Sequence, residues 1–196
     1  MIGAIETKPD LRERPRPAWR DSRTGYGAIS RLNHWITAAL FLGALGLGLF
    51  MAYGGLPREA IAPLMQWHKF LGVLVLVYGL WRVVWRARQG FPAPAARMPR
   101  WQKRAAALVH AGLLTAILAM PVSGILMTLA GGRALAIWDV TLLPSAGKIE
   151  WLHTTAEAIH GTAPPILLLL LALHIGAALK HHVIDRDTTL RRMIAG

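Results

Sequence analysis

Eight histidines stand in a chain of 196 residues that has no cysteine. Five of them, His34, His68, His110, His160 and His174, fall inside or at the ends of long apolar stretches. An imidazole placed there is costly unless it binds something. His160 and His174 are 14 residues apart, nearly four helical turns and, at ~1.5 Å per residue, a rise of about 21 Å. One helix face would then present a nitrogen ligand near each surface of a membrane. Each ligand needs an opposite number at equal depth on another helix, and the order of the apolar stretches pairs His68 with His160 and His34 with His174. Neutral imidazoles on both faces of a planar macrocycle are what a b-type haem takes, and the core of a helix bundle buries the ring. With both axial positions filled the iron offers no open site, so the chemistry is electron transfer. Two haem b groups, with iron held by His34, His68, His160 and His174, would carry electrons from one face to the other. The missing cysteines exclude disulfides, thiolate-held iron–sulfur clusters and C-x-x-C-H attachment of a c-type haem.

The remaining histidines divide by position. His153 is 21 residues before His174, ~31 Å by the same rise, and reads as a surface histidine. His110, His181 and His182 have no haem partner, and a polar side chain near the cytoplasmic haem could bind a quinone head group or pass protons. For His181 and His182 the plainer alternative is a solvated helix end. A function of another class, a histidine-lined metal or proton transporter without haem, would use the same intramembrane imidazoles.

Four elements must position these residues. Apolar runs over 36–51, 70–84, 105–130 and 164–179 each approach or extend to the ~20 residues that cross a bilayer. The 54% hydrophobic content exceeds what an ordinary soluble domain carries. The expected fold is all-α, a transmembrane four-helix bundle. Span one covers 29–53 and ends at Gly54-Gly55. An outer loop containing Pro57 and Pro63 leads to span two, which opens near Trp67. Trp81-Arg82-Val83-Val84-Trp85-Arg86 alternates aromatic anchors and snorkelling cations as an interfacial boundary does. Span three covers 103–129 with a kink expected at Pro121. The long connection 131–150 is expected to lie along the membrane surface through Trp138, Leu142 and Leu143. Span four runs from about Trp151 to His182 with a bend at Pro164-Pro165. The first stretch lies too far in to be a cleaved signal and reads as a retained helix. Residues 1–26 read as a basic flexible arm and 27–196 as the dihaem domain.

The net charge of +12 would suggest nucleic acid in a soluble protein, but no aromatic or glycine interleaving accompanies the arginines. Its distribution instead gives topology. All but four of the 22 Lys and Arg residues precede span one, separate spans two and three, or follow span four. The exceptions are Arg58, Lys69, Arg133 and Lys148. The positive-inside rule then puts both termini in the cytoplasm, as expected of a multi-pass protein of the bacterial inner membrane.

Several short motifs also resemble the bacterial cytochrome b(561) family, a four-helix dihaem group. They are Arg31-Leu32-Asn33-His34-Trp35, Trp67-His68-Lys69, and His110 ahead of Pro121-Val122-Ser123-Gly124. The clearest is Leu173-His174 with Ala177-Ala178-Leu179-Lys180-His181-His182 and Asp187-Thr188-Thr189-Leu190. The likeness covers 31–193. It implies haem ligation by His34 with His174 and by His68 with His160. It further implies ubiquinone near the cytoplasmic haem, where His181 matches a polar position, and an electron donor or acceptor at the periplasmic face. Some members look like superoxide–quinone oxidoreductases, and related cytochromes are membrane subunits of dehydrogenases or hydrogenases. The basic arm and Gly161 with Pro164-Pro165 depart from the family pattern. A superoxide anion drawn to Lys69, Arg133 or Lys148 could react by outer-sphere transfer. In the reverse direction the chain would be a cytochrome subunit passing quinol electrons to a periplasmic redox partner.

Overall fold

Four helices long and apolar enough to cross a membrane make up most of the chain, in a computed structural model that describes residues 19–195. They are α1 (Ala28–Tyr53), α2 (Arg58–Gln89), α3 (Arg100–Ala130) and α4 (Glu150–Val183), with a short α5 (Thr189–Ile194) after them. α1 shows why such a sequence forms a bundle. Ser30, Asn33, Thr37, Phe41 and Ala44 are its buried residues, spaced by three and four as one helical face requires. Leu32, Leu42 and Phe50 point outward, which suits a helix solvated by lipid. The shared core is small, with Phe41, Ala44, Val75, Ala116, Ile117 and Leu167 at its centre.

α1 packs on α2, α2 on α3, and α3 on α4. α4 makes no more than isolated contacts with α1 or α2, and Ala156 and Leu167 are its only buried residues. A lane therefore runs between α4 and the α1–α2 pair. The histidine rings project into it.

Several boundaries differ from the sequence expectation. α2 begins at Arg58, with Pro57 as its N-cap and Pro63 inside the helix, so Pro63 is not a loop residue. The bond Pro63 cannot donate leaves the Glu59 carbonyl short of a partner, and Glu59 is exposed, where water can serve it. α3 and α4 remain helical through Pro121 and Pro164-Pro165, where a kink and a bend are expected.

The connection 131–150 is not simply surface coil. It holds an antiparallel hairpin, β1 (Leu135–Ile137) and β2 (Val140–Leu143), so the fold is mostly helical rather than wholly so. Its two-residue turn puts Trp138 at φ 48°, a position a propensity reading gives to Asn or Gly. Tertiary contacts hold it there: Trp138 meets the Trp67 ring edge-on at 5.0 Å and its N–H donates to Gln66 Oε1. Within the hairpin, Leu135 and Ile137 of β1 are buried, while all of β2 is exposed.

The opposite, terminal end is closed by α5 and by the segment before α1. Trp35 Nε1 donates to the Met193 carbonyl at 3.0 Å, and an Arg192 nitrogen donates to the Ala93 carbonyl at 2.9 Å. The anticipated arm lies outside the described residues up to residue 18. Beyond that point the segment is docked: Asp21 pairs with Arg86 at 2.6 Å, both side chains being buried. The packed unit thus starts before residue 27.

Candidate functional site

A 14-residue spacing recurs on all four long helices. It links His34 to Gly48 on α1, His68 to Arg82 on α2, His110 to Gly124 on α3, and His160 to His174 on α4. Fourteen residues nearly complete four turns, so each helix offers the same face at two depths. Gly48, His68, Gly124 and His160 form the level at the hairpin end. His34, Arg82, His110 and His174 form the level at the terminal end. Only the α4 instance joins two histidines; on the other helices the same spacing joins a histidine to Arg82 or to a glycine.

At the hairpin end the His68 and His160 rings face each other across the lane with centroids 6.0 Å apart. A metal–imidazole bond of about 2 Å on each side, plus about 1 Å from nitrogen to ring centre, sets a spacing near 6 Å. His68 Nδ1–H donates to the Ala44 carbonyl at 3.0 Å, and His160 Nδ1–H to the Met120 carbonyl at 3.0 Å, with Ser123 Oγ at 3.1 Å from the same nitrogen. A carbonyl only accepts, so both protons sit on Nδ1 and both Nε2 lone pairs remain free for a metal. In each case a glycine stands four residues past the accepting carbonyl. A Cβ on Gly48 would lie 3.2 Å from the His68 ring, and one on Gly124 would lie 3.1 Å from the His160 ring. The bare helix turn is what lets each imidazole lean on the backbone. An apolar cavity of about 380 Å³ opens beside the pair, lined by Leu45, Val75, Pro164 and Leu167 among others. Size, apolarity and free nitrogens fit a haem edge.

At the terminal end His34 and His174 are 6.2 Å apart, again the separation that admits a metal. His110 is closer to His174, at 5.3 Å and nearly edge-on. That is direct ring contact, so His34 suits the role of opposite ligand better than His110. The other face of His110 stacks on Phe91, 6.3 Å away and 7° from parallel. Arg82 donates to His34 Nδ1 at 2.9 Å and to Asn33 Oδ1 at 3.5 Å.

His181 is seven residues past His174 on nearly the same face, ~10 Å further toward the terminal end. Its Nδ1 meets Asp187 at 2.7 Å and Asp185 at 3.1 Å. Burial pushes the Asp187 carboxyl up, but hydrogen bonds from the Thr189 backbone and hydroxyl and from His181 outweigh it and hold the group below the usual carboxylate range. Among the described residues no hydrogen bond or ring contact joins His181 to His110. His182 is exposed. His153 stands at the hairpin end, as its spacing implied, but its ring is mostly covered and its Nδ1–H donates to the Met127 carbonyl at 2.8 Å. Of the hairpin-end cations, Lys69 reaches the Ala136 carbonyl at 3.4 Å and Lys148 pairs with Glu150. Arg133 is exposed and makes no ion pair among the described residues.

Comparison with known proteins agrees with this architecture. Residues 25–196 match the family model described as prokaryotic cytochrome b561. Cytochrome b561 homolog 2 of Escherichia coli (strain K12) is 32% identical over 178 residues, covering 86% of this chain and 90% of the relative. Cytochrome b561 homolog 1 of the same organism is 31% identical over 163 residues, covering 82% and 92%. The probable superoxide oxidase CybB of Yersinia pestis is 26% identical over 171 residues, covering 82% and 90%. With four membrane-length helices and a match over nearly its whole described length, the chain belongs to the prokaryotic cytochrome b561 family and is a multi-pass bacterial membrane cytochrome b that works in electron transfer through b-type haem.

Proposed function

We propose that this chain holds two b-type haems, one between His68 and His160 and one between His34 and His174, and moves single electrons between a periplasmic donor and ubiquinone. The observation that carries the reading is the pair of facing imidazoles at each level, 6.0 and 6.2 Å apart across a lane that protein does not fill. When bound, each haem supplies a one-electron ferric–ferrous couple. The residues supply placement: backbone carbonyls hold His68 and His160 in the ligating tautomer, and Gly48 and Gly124 make room for them. The bias of cations toward the terminal end supports a cytoplasmic position for both termini in the inner membrane. Ubiquinone would then dock at that end, where His110 borders the His174 ring and His181, backed by Asp187, can hand a proton to a reduced head group.

Superoxide is the favoured donor, because one relative is named a probable superoxide oxidase and because exposed Arg133 offers an anion a cation at the hairpin end. Superoxide generated beside the purified protein with a soluble quinone is expected to yield quinol at a rate well above the protein-free control. A rate equal to that control would shift the reading to a cytochrome subunit exchanging quinol electrons with a partner protein, for which the exposed β2 strand is a ready edge. A colourless preparation that binds zinc would overturn both.

Gly124→Val gives a test that leaves every histidine in place. A Cβ at this position already meets the His160 ring at 3.1 Å, and the branched side chain would push the ring off the Met120 carbonyl. Haem content is expected to fall by up to one per chain in a pyridine haemochrome assay, with a smaller loss for Gly124→Ala. Full haem content in the valine variant would show that close approach at Gly124 does not position His160.

A further inference from the structure

Arg82 is a half-buried cation with no carboxylate partner among the described residues. One turn on, Arg86 has Asp21; Arg82 has only the neutral Asn33 Oδ1 and His34 Nδ1. The bond to His34 carries a chemical conflict. A guanidinium has five donors and no acceptor, so His34 Nδ1 must accept, and a neutral ring that accepts at Nδ1 carries its proton on Nε2. An imidazole that binds a metal through one nitrogen needs a lone pair there and donates from the other. His68 and His160 already meet that requirement through the Ala44 and Met120 carbonyls. His34 cannot meet it while Arg82 holds its Nδ1.

Haem binding at His34 therefore requires Arg82 to let go. A released guanidinium at this depth needs an anion. A b-type haem brings two carboxylates on one edge of its ring, and a haem held by His34 and His174 would share its level with Arg82. A second donor stands beside it: Asn33 Nδ2 is buried and has no partner among the described residues. Resting on the proposed ligation by His34 and His174, we infer that Arg82 pairs with a propionate of the haem held there, with the buried Asn33 Nδ2 as the neighbouring donor. Planar bidentate pairing with a carboxylate is what a guanidinium does best.

The pairing sets a direction for the potential. An uncompensated propionate beside the iron favours the ferric state, so neutralising it raises the midpoint, and removing Arg82 lowers it. The test is a redox titration of purified holoprotein followed in the α-band, with haem content measured alongside. Arg82→Gln is expected to lower one of the two midpoints by roughly 59 mV, which is a tenfold change in the reduced-to-oxidised ratio for a one-electron couple, and to leave the other in place. Arg82→Lys is expected to recover most of the shift. Two bound haems with unchanged midpoints in Arg82→Gln would overturn the inference, as would an equal shift of both. If Arg82→Gln holds only one haem, retention of both in Arg82→Lys near the parent midpoints supports the pairing; loss in Arg82→Lys as well overturns it. His34→Ala tests the ligation separately: two haems retained there would remove the premise, whatever Arg82 does.

Discussion

His160→Ala is expected to halve the haem content, from about two per chain to about one, and to leave the surviving haem titrating as a single one-electron component. The size of the effect follows from how little else holds a group at that level. The lane beside α4 is lined by apolar side chains and glycines, so the axial nitrogens are the principal specific attachment there. With His160 gone, Met120 and Ser123 lose the ring that leaned on them, and His68 is left as a lone ligand beside an enlarged cavity. The terminal level is ~21 Å away along α4 and shares no side chain with this one. The haem proposed between His34 and His174 should therefore stay, with its spectrum unchanged. His68→Ala should give the same result, whereas His153→Ala should change neither haem, because its ring bonds the Met127 carbonyl instead. A pyridine haemochrome assay per polypeptide, with a reduced-minus-oxidised spectrum, decides it. Equal loss at both levels would mean the sites are not separate; two retained haems would remove His160 as a ligand.

Much of this arrangement could be read before any coordinates. Hydropathy locates the four spans because a bilayer leaves the backbone no alternative to helix, and equal depth pairs His68 with His160 and His34 with His174, rings that lie 6.0 and 6.2 Å apart. His110, placed by the same depth argument in the terminal half of α3, lies with its ring 5.3 Å from that of His174. What sequence did not reveal depends on contacts rather than periods. Trp138 occupies a left-handed turn position because Trp67, Phe70 and Gln66 grip it, and no local propensity foretells that. α2 starts nine residues before Trp67 because a proline six residues into a helix at a wet surface costs less than in its middle.

By position Arg82 and Arg86 are interfacial cations expected to snorkel toward head groups. The structure turns both inward instead, one to His34 and the other to Asp21. The sequence held the clue for the first, since Arg82 follows His68 by the same 14 residues that separate the two α4 histidines. It held none for the second, because Asp21 lies 65 residues away in a segment without any apolar period.

That second pair carries the other large expected effect. Arg86 donates to Asp21, to Ser30 Oγ and to the Gly90 carbonyl, and its guanidinium lies over the rings of Tyr26 and Phe91 at 5.4 and 5.6 Å. It thereby ties the segment before α1, α1 itself and the end of α2 into one knot. The two side chains are 6% and 4% exposed, so solvent screens them little. Removing one partner of such a pair leaves a buried charge uncompensated, at a cost of about 3–5 kcal/mol. Asp21→Ala is therefore expected to destabilise the detergent-solubilised holoprotein strongly, lowering its melting temperature by roughly 10 °C on the usual scaling for this size. Arg86→Met should cost a similar amount, because it strands the Asp21 carboxylate and the Ser30 hydroxyl. The double variant Asp21→Ala with Arg86→Met should be more stable than either single one, since neither charge is then left alone. Melting curves of the four proteins followed in the haem spectrum give the coupling directly. A loss below about 1 kcal/mol in the single variants would be the behaviour of an exposed pair, and would mean that the segment before α1 is not docked on the bundle. A double variant as damaged as the two losses added together would mean that the two residues act independently. With strong coupling, the knot also keeps Phe91 stacked on His110 and so ties the stability of the terminal end to the geometry of its histidine level.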